Sequence, residues 1–132
     1  MTTGFASPTL KKRERIVSRK LIERLFSKGS NQSTSAFPLR AVFMTGERQE
    51  GEEPVQILVS VSKRHFKRAV KRNRVKRQIR ESYRHHKQIL TEHISQEQVL
   101  YLAIVWLADE LYDSSQVEKS LRRLLEKVAK SV

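Results

Sequence analysis

The chain has 132 residues, 38% of them apolar, and its 27 Lys and Arg outnumber 14 Asp and Glu for a net charge of +13. That length fits one domain burying roughly two-thirds of its unfolded surface, and the absence of cysteine excludes a disulfide framework or thiolate metal site and fits a reducing compartment. No secretory signal is visible, and the longest apolar run, Val99 to Ala108, is about half the ~20 residues of a membrane span, so a soluble, cytoplasmic protein with no membrane contact is expected.

Residues 1–9 lack periodicity and are expected to be flexible, leaving residues 10–132 as one domain. Ser18 can cap a short helix running to about Lys28, with Leu21, Ile22, Leu25 and Phe26 as its apolar stripe and Gly29 placed to end it. The stretch GSNQSTS that follows is turn-like and polar. In FPLRAVFM the period changes to two: Phe37, Leu39, Ala41 and Phe43 face one way and Pro38, Arg40 and Val42 the other. Pro38 marks an edge strand or a strand start. After the acidic loop GERQEGEEP, VQILVSVS puts Val55, Ile57, Val59 and Val61 on one face and Gln56, Leu58, Ser60 and Ser62 on the other. Two successive strands with this alternation predict a hairpin with one covered face and one open, partly polar face.

From Lys63 to Lys87 the chain holds twelve Lys or Arg against one acid, Glu81, for a net +11, while the other 107 residues hold 15 basic and 13 acidic side chains. Charge concentrated this way reads as a polyanion-binding element, with RNA or DNA as the polyanion. A helix is predicted from about His65 to about Thr91. Val75, Ile79, Tyr83 and Leu90 share one side, and Asn73, Arg77, Arg80 and Arg84 fall on nearly the opposite one. Arg72 falls on the packing side, where it can snorkel or reach back across the sheet edge.

Val99–Ala108 is apolar on both faces and reads as a central strand. Ser115 with Glu118 forms a capping-box pattern ahead of a last helix whose Val117, Leu121, Leu124, Leu125 and Val128 face inward. The order α-β-β-α-β-α predicts an α+β sandwich with helices on one face of a small sheet and the other face free.

Catalytic signals are weak. His65, His85, His86 and His93 contain no i, i+4 pair for a helical zinc site. Asp109, Glu110 and Asp113 form a conceivable magnesium site, although a solvated loop before a helix explains them better. Gly4, Gly29, Gly46 and Gly51 make no phosphate-cradling loop, and no serine has a nucleophile-elbow context. No residues are therefore assigned to catalysis or to metal. A basic-region zipper would need leucine heptads after Arg84, and there are none.

The stretch LVSVSKRHFKRAVKRNRVKRQIRESYR resembles the protein component of bacterial ribonuclease P. The resemblance lies in a strand ending at Ser60 to Lys63, then a helix carrying Ala69–Val70, Arg72–Asn73–Arg74, Lys76–Arg77 and Arg80. LKKRERI, LFSKG around Phe26 to Gly29, and FPL at Phe37 to Leu39 support it, over about Leu10 to Tyr83. It implies a two-layer α/β sandwich of order α-β-β-(β)-α-β-α, a small mixed sheet with a left-handed β-α-β crossover, and a fourth strand near Gln32–Ser35. It also implies a protein subunit that binds the catalytic ribonuclease P RNA and the 5′ leader of precursor tRNA, assisting endonucleolytic removal of that leader. One RNA and one protein would form the ribonucleoprotein, with no cofactor in the protein and Mg2+ carried by the RNA and substrate.

The RNA-binding residues so implied are Lys63, Arg64, Lys67, Arg68, Arg72, Asn73, Arg74, Lys76, Arg77, Arg80 and Arg84, and the leader-binding residues Ile22, Phe26, Pro38, Arg40, Ser60 and Ser62. The family often has two aromatic residues on the first helix and one on the first strand. Here Ile22, Phe26 and Arg40 stand there, one aromatic of three, which argues against stacking as the main leader contact. The alternatives are a ribosomal or ribosome-assembly RNA-binding protein, or a DNA-binding protein, which lacks a recognisable motif here.

Overall fold

A computed structural model of the chain describes residues 12–27, 29 and 31–132; the expected flexible stretch 1–9 lies outside them. A 3-10 turn, Lys12–Glu14, precedes helix α1, Arg19–Phe26. The Ser18 side chain accepts the Leu21 N–H at 3.4 Å to cap the start of α1. At the other end, the Asn31 amide donates to the Leu25 and Ser27 carbonyls, and Gly29 at φ +89° turns the chain away.

Four strands follow or interleave with the remaining helices: β1, Gln32–Ala36; β2, Leu39–Glu47; β3, Val55–Ser60; and β4, Gln98–Trp106. The sheet order is β1-β2-β4-β3. This corrects the expected hairpin: β2 and β3 do not pair, and the hairpin is β1–β2, turning at Phe37–Pro38. Strand β4 is antiparallel to β2 and parallel to β3, so it is central and the sheet is mixed. β2 is interior to the sheet, and Pro38 sits in the turn before it, which settles the choice of strand start over edge strand. Phe37 belongs to that turn and is 65% exposed, not part of the covered face.

One sheet face carries Leu39, Ala41 and Phe43 of β2, Val55, Ile57 and Val59 of β3, and Leu100, Leu102, Ile104 and Trp106 of β4. Helices α2, Ala69–His86, α3, Gln88–Thr91, and α4, Ser114–Ser131, cover it. Val75, Ile79, Tyr83 and Leu90, and Val117, Leu121, Leu124, Leu125 and Val128, are all fully buried, as their spacing predicts. The basic helix starts at Ala69 rather than His65 because Phe66 is buried and the Ser62 hydroxyl accepts the Arg64 N–H, which fixes a turn there. It breaks at Lys87, where α3 begins. The capping box of α4 is Asp113 with Gln116, two residues earlier than Ser115 with Glu118.

The other sheet face is only half free. Leu25 of α1 and Ile16 bury Val42, Met44 and Ala103, with Leu21, Ile22, Leu58 and Tyr101 packed around them. Ile16 also donates its N–H to the Ile57 carbonyl at 2.8 Å, so the segment before α1 extends the β3 edge.

Candidate nucleic-acid interface

The outward side of α2 is the first half of the interface. Asn73 and Arg77 are exposed, while Arg80 and Arg84 are half-buried, and Arg15 joins them from the segment before α1. Arg15, Asn73, Arg77, Arg80, Glu81 and Arg84 line a concavity of about 330 Å³. Partial burial, and then the Arg15 charge, lower the Arg80 guanidinium from its ordinary value. The repulsion between Arg15 and Arg80, in a concavity with four arginines and one glutamate, favours an anion. Glu81, the one acid, is turned to Arg84, whose Nε donates to Oε2 at 3.1 Å. The Arg84 hydrogen bond is the main reason the Glu81 carboxyl lies below the usual carboxylate range.

Arg15 was not singled out by periodicity or charge run; its place comes from the Ile16–Ile57 bond and from Glu14. The Glu14 carboxylate is buried and accepts from Lys87 Nζ at 3.1 and 3.2 Å, latching the 3-10 turn to the end of α2. Burial, and then Glu14, push the Tyr83 hydroxyl well above its ordinary pKa.

Lys63, Arg64, Lys67 and Arg68 are exposed in the loop before α2, and Arg74 is exposed on it; none lines the concavity. Lys76 is half-buried and also stands outside. Arg72 departs from both expected roles. Its Nη1 donates to the carbonyls of Phe66 and Lys67 at 2.8 and 2.7 Å, tying down the loop that enters α2.

The second half lies on the partly free sheet face. Registers Arg40↔Val105 and Ser60↔Val105 set Arg40, Val105 and Ser60 in one row across β2, β4 and β3. Arg40 is exposed, Val105 and Ser60 are half-buried, and among the described residues no carboxylate pairs with Arg40. Pro38 is buried in the turn, where its carbonyl accepts the Leu107 N–H at 2.8 Å. Ser62 is exposed, but its hydroxyl is engaged by the Arg64 N–H. Ile22 packs into the small cluster under α1, so it is a wall rather than a platform, whereas Phe26 is 46% exposed at the helix end.

At the far end of this face the Tyr101 hydroxyl donates to Glu52 at 3.1 Å, and Gln56 donates to the same carboxylate at 3.0 Å. Burial acts to raise the Glu52 carboxyl, but the Gln49 N–H, Gln56, Tyr101 and Arg48 outweigh it and hold it low. The face thus runs from arginine at one end to carboxylate at the other. A second groove, lined by Arg15, Ile16, Val17, Ile57, Leu58, Val59 and Arg80, joins the concavity on α2 to the edge of the sheet.

Among the described residues no three His, Asp or Glu are grouped to hold a metal ion. Asp109 instead meets His65 Nδ1 at 2.7 Å, and Asp113 caps α4. No described helix is long and apolar enough to cross a membrane.

Residues 10–129 match the family model of ribonuclease P. A curated relative from Porphyromonas gingivalis, named ribonuclease P protein component, is 38% identical over 132 residues, covering 98% of this chain and 93% of its own. Among solved structures, the Staphylococcus aureus RNase P protein is similar with a TM-score of 0.66 at 24% identity, over 89% of this chain and 95% of that one. The RNase P protein from Thermotoga maritima gives 0.65 at 20% identity, over 86% and 96%. These two likenesses concern the fold.

Proposed function

Because the chain belongs to the ribonuclease P protein family, and is therefore a protein subunit of that enzyme acting with its RNA, we propose a division of work between its two surfaces. The concavity on α2 docks the catalytic RNA, with Arg77, Arg80, Arg84 and Arg15 on phosphates and Asn73 bonding sugar or base edges. The row of Arg40 and Ser60, walled by α1, holds the single-stranded 5′ leader of precursor tRNA. Arg40 pairs with a leader phosphate or lies flat on a base, and Phe26 offers one stacking surface.

The observation that carries this reading is the groove through Arg15 and Arg80, which makes the docking concavity continuous with the sheet edge. A substrate strand leaving the RNA at α2 can then follow this groove to the sheet edge, its phosphates held at Arg15 and Arg80 and its bases over the apolar side chains that line the rest. Glu52 at the far end sets the direction, since a polyanion is repelled from it.

The bond cleavage belongs to the RNA in this reading, and this chain supplies binding and orientation, not an activated water. Mg2+ stays with RNA and substrate, where hydrated ions bridge phosphates. The working complex is one RNA with one protein in the cytoplasm. The ribosomal alternative has no observation in its favour.

The test is leader dependence in the assembled ribonucleoprotein. Arg40→Ala should weaken binding of precursor tRNA more than of mature tRNA, by a factor that shrinks as salt rises, while Phe26→Ala should cause a salt-insensitive loss. Equal effects of Arg40→Ala on substrates with and without a leader would refute the leader assignment.

A further inference from the structure

Helix α4 presents a second basic surface that neither assignment above uses. Lys119, Arg123, Lys127 and Lys130 recur at i, i+4, i+8 and i+11, forming one exposed stripe along the helix. Of the two acids of α4, Glu118 faces His86 at 3.6 Å, and Glu126 borders a groove together with Ile89, Glu92, His93 and Lys130 of the stripe. Asp113, which feels Lys119, is committed to capping. Glu126 falls at i, i+3 from Arg123 and i, i+4 to Lys130, so one acid stands against four cations on this side of the helix, and the surplus positive charge favours an anion over them.

What runs beside the stripe gives the partner its chemistry. The Ser120 hydroxyl donates to the Phe37 carbonyl at 3.1 Å, and Lys127 Nζ donates to the Ser35 carbonyl at 2.7 Å. These two bonds lay α4 along the edge strand β1 in the opposite direction. β1 has no strand on its outer side, and its Ser33 and Ser35 are exposed. Phe37 stands 65% exposed at the end of the strand, meeting Tyr112 edge-on at 6.5 Å and 88°. Cations, hydroxyls and an open aromatic ring side by side are the three groups that hold single-stranded RNA by phosphate, sugar and base.

We propose that the α4 stripe, the β1 edge and Phe37 form a second track for single-stranded RNA, at the opposite edge of the sheet from β3 and the concavity on α2. The proposal rests on the chain acting in a ribonucleoprotein. An anionic membrane is the poorer fit, because every large apolar side chain of α4 is spent in the core: Val117, Leu121, Leu124, Leu125 and Val128 are fully buried.

The test uses the full chain, free and assembled with ribonuclease P RNA, and an oligouridylate probe of about a dozen nucleotides containing 4-thiouridine. Crosslinks to Phe37 are expected with the free protein. K119E/R123E/K130E should weaken probe binding about tenfold and lower its log–log salt slope by about 2, whereas Phe37→Ala should remove the crosslink and leave the slope unchanged. K119A/R123A/K130A repeats the measurement should the reversal disturb folding. A crosslink that survives assembly places another RNA on the track; one that disappears while the triple reversal weakens ribonuclease P RNA binding places that RNA itself there. Crosslinks confined to α2 and the leader row, with the triple variant binding both RNAs normally, would overturn the proposal. So would a triple variant that loses only phosphatidylglycerol vesicles. Docking on α2 is read separately through R77E/R80E, so failure of one assignment is not taken for failure of the other.

Discussion

Helices α2 and α4 are both 18 residues long and lie against each other on the same sheet face, but they are stabilised in different ways. Helix α4 closes its own start with Asp113 and Gln116 and buries an uninterrupted apolar row. Helix α2 has no side-chain cap, places Lys71 and Arg72 in its first turn against the helix dipole, and carries seven Lys or Arg to one Glu. Its buried side includes Gln78 and Ser82, and the Tyr83 hydroxyl is buried with no hydrogen-bond partner among the described residues. What α2 lacks locally is supplied from outside. Arg72 ties the entry loop, Gln78 donates to the Tyr112 carbonyl at 3.0 Å, and Lys87 meets Glu14 beyond the last turn. Helix α2, with no cap of its own, depends on tertiary anchors, whereas α4 closes its start locally.

The largest effect should ignore this difference. Ile79→Asp in α2 and Leu124→Asp in α4 each place an unpaired charge at a fully buried site, costing more than about 4 kcal/mol, and both should abolish the cooperative urea transition followed by circular dichroism. If Ile79→Asp were tolerated, α2 would not be anchored through that row. Function should then separate the helices. Arg77→Glu with Arg80→Glu should lower ribonuclease P RNA affinity about 10- to 100-fold and reduce the salt slope by about 1.5, with little change in melting temperature. Normal RNA binding by the double variant would remove the docking assignment for α2.

The anchors give the next effect. Arg72→Ala frees two loop carbonyls and should destabilise the domain by about 1–2 kcal/mol, read as a lower urea midpoint, with amide exchange rising first at residues 69–73. The smallest effect should be Asp113→Ala in α4. The Gln116 N–H, then Ser115, hold the Asp113 carboxyl below its ordinary value. Its stabilisation is therefore complete above the unfolded carboxylate pKa of about 3.9 and lost as pH falls through the lower folded value. The gap in melting temperature between wild type and Asp113→Ala should be present at neutral pH and close in strong acid; a gap constant across that range would mean that the cap does not act through its charge.

Buried rows were legible in the sequence wherever burial imposes a period, as at Val55, Ile57 and Val59 or at Val75, Ile79 and Tyr83. Strand β1 gave no such signal, because only Ala36 of its QSTSA is buried; the family resemblance supplied it. The pairing of β2 and β3 with β4 was hidden because it depends on residues about 45 to 67 positions away, and nothing local to either strand records it. Of the interface, the outward row of α2 followed from helical spacing. Arg15 did not, since its neighbours set its position: Ile16 by a backbone bond to β3 and Glu14 by an ion pair to Lys87. Likewise α1 was recognisable as amphipathic, but not that it would cover half of the sheet face that α2 and α4 leave open.

The place of β4 in the sheet has a consequence for the order of synthesis. It bonds to β2 on one side and β3 on the other, so the sheet cannot close until residue 106 has been made. Helix α2 ends at His86, and at a translation rate of 5–20 residues per second the interval is about 1–4 s. During that time the most cationic segment of the chain has been made while the strand that completes its floor has not. A nascent chain built in this order presents its arginines to the surrounding RNA before its fold can choose among them.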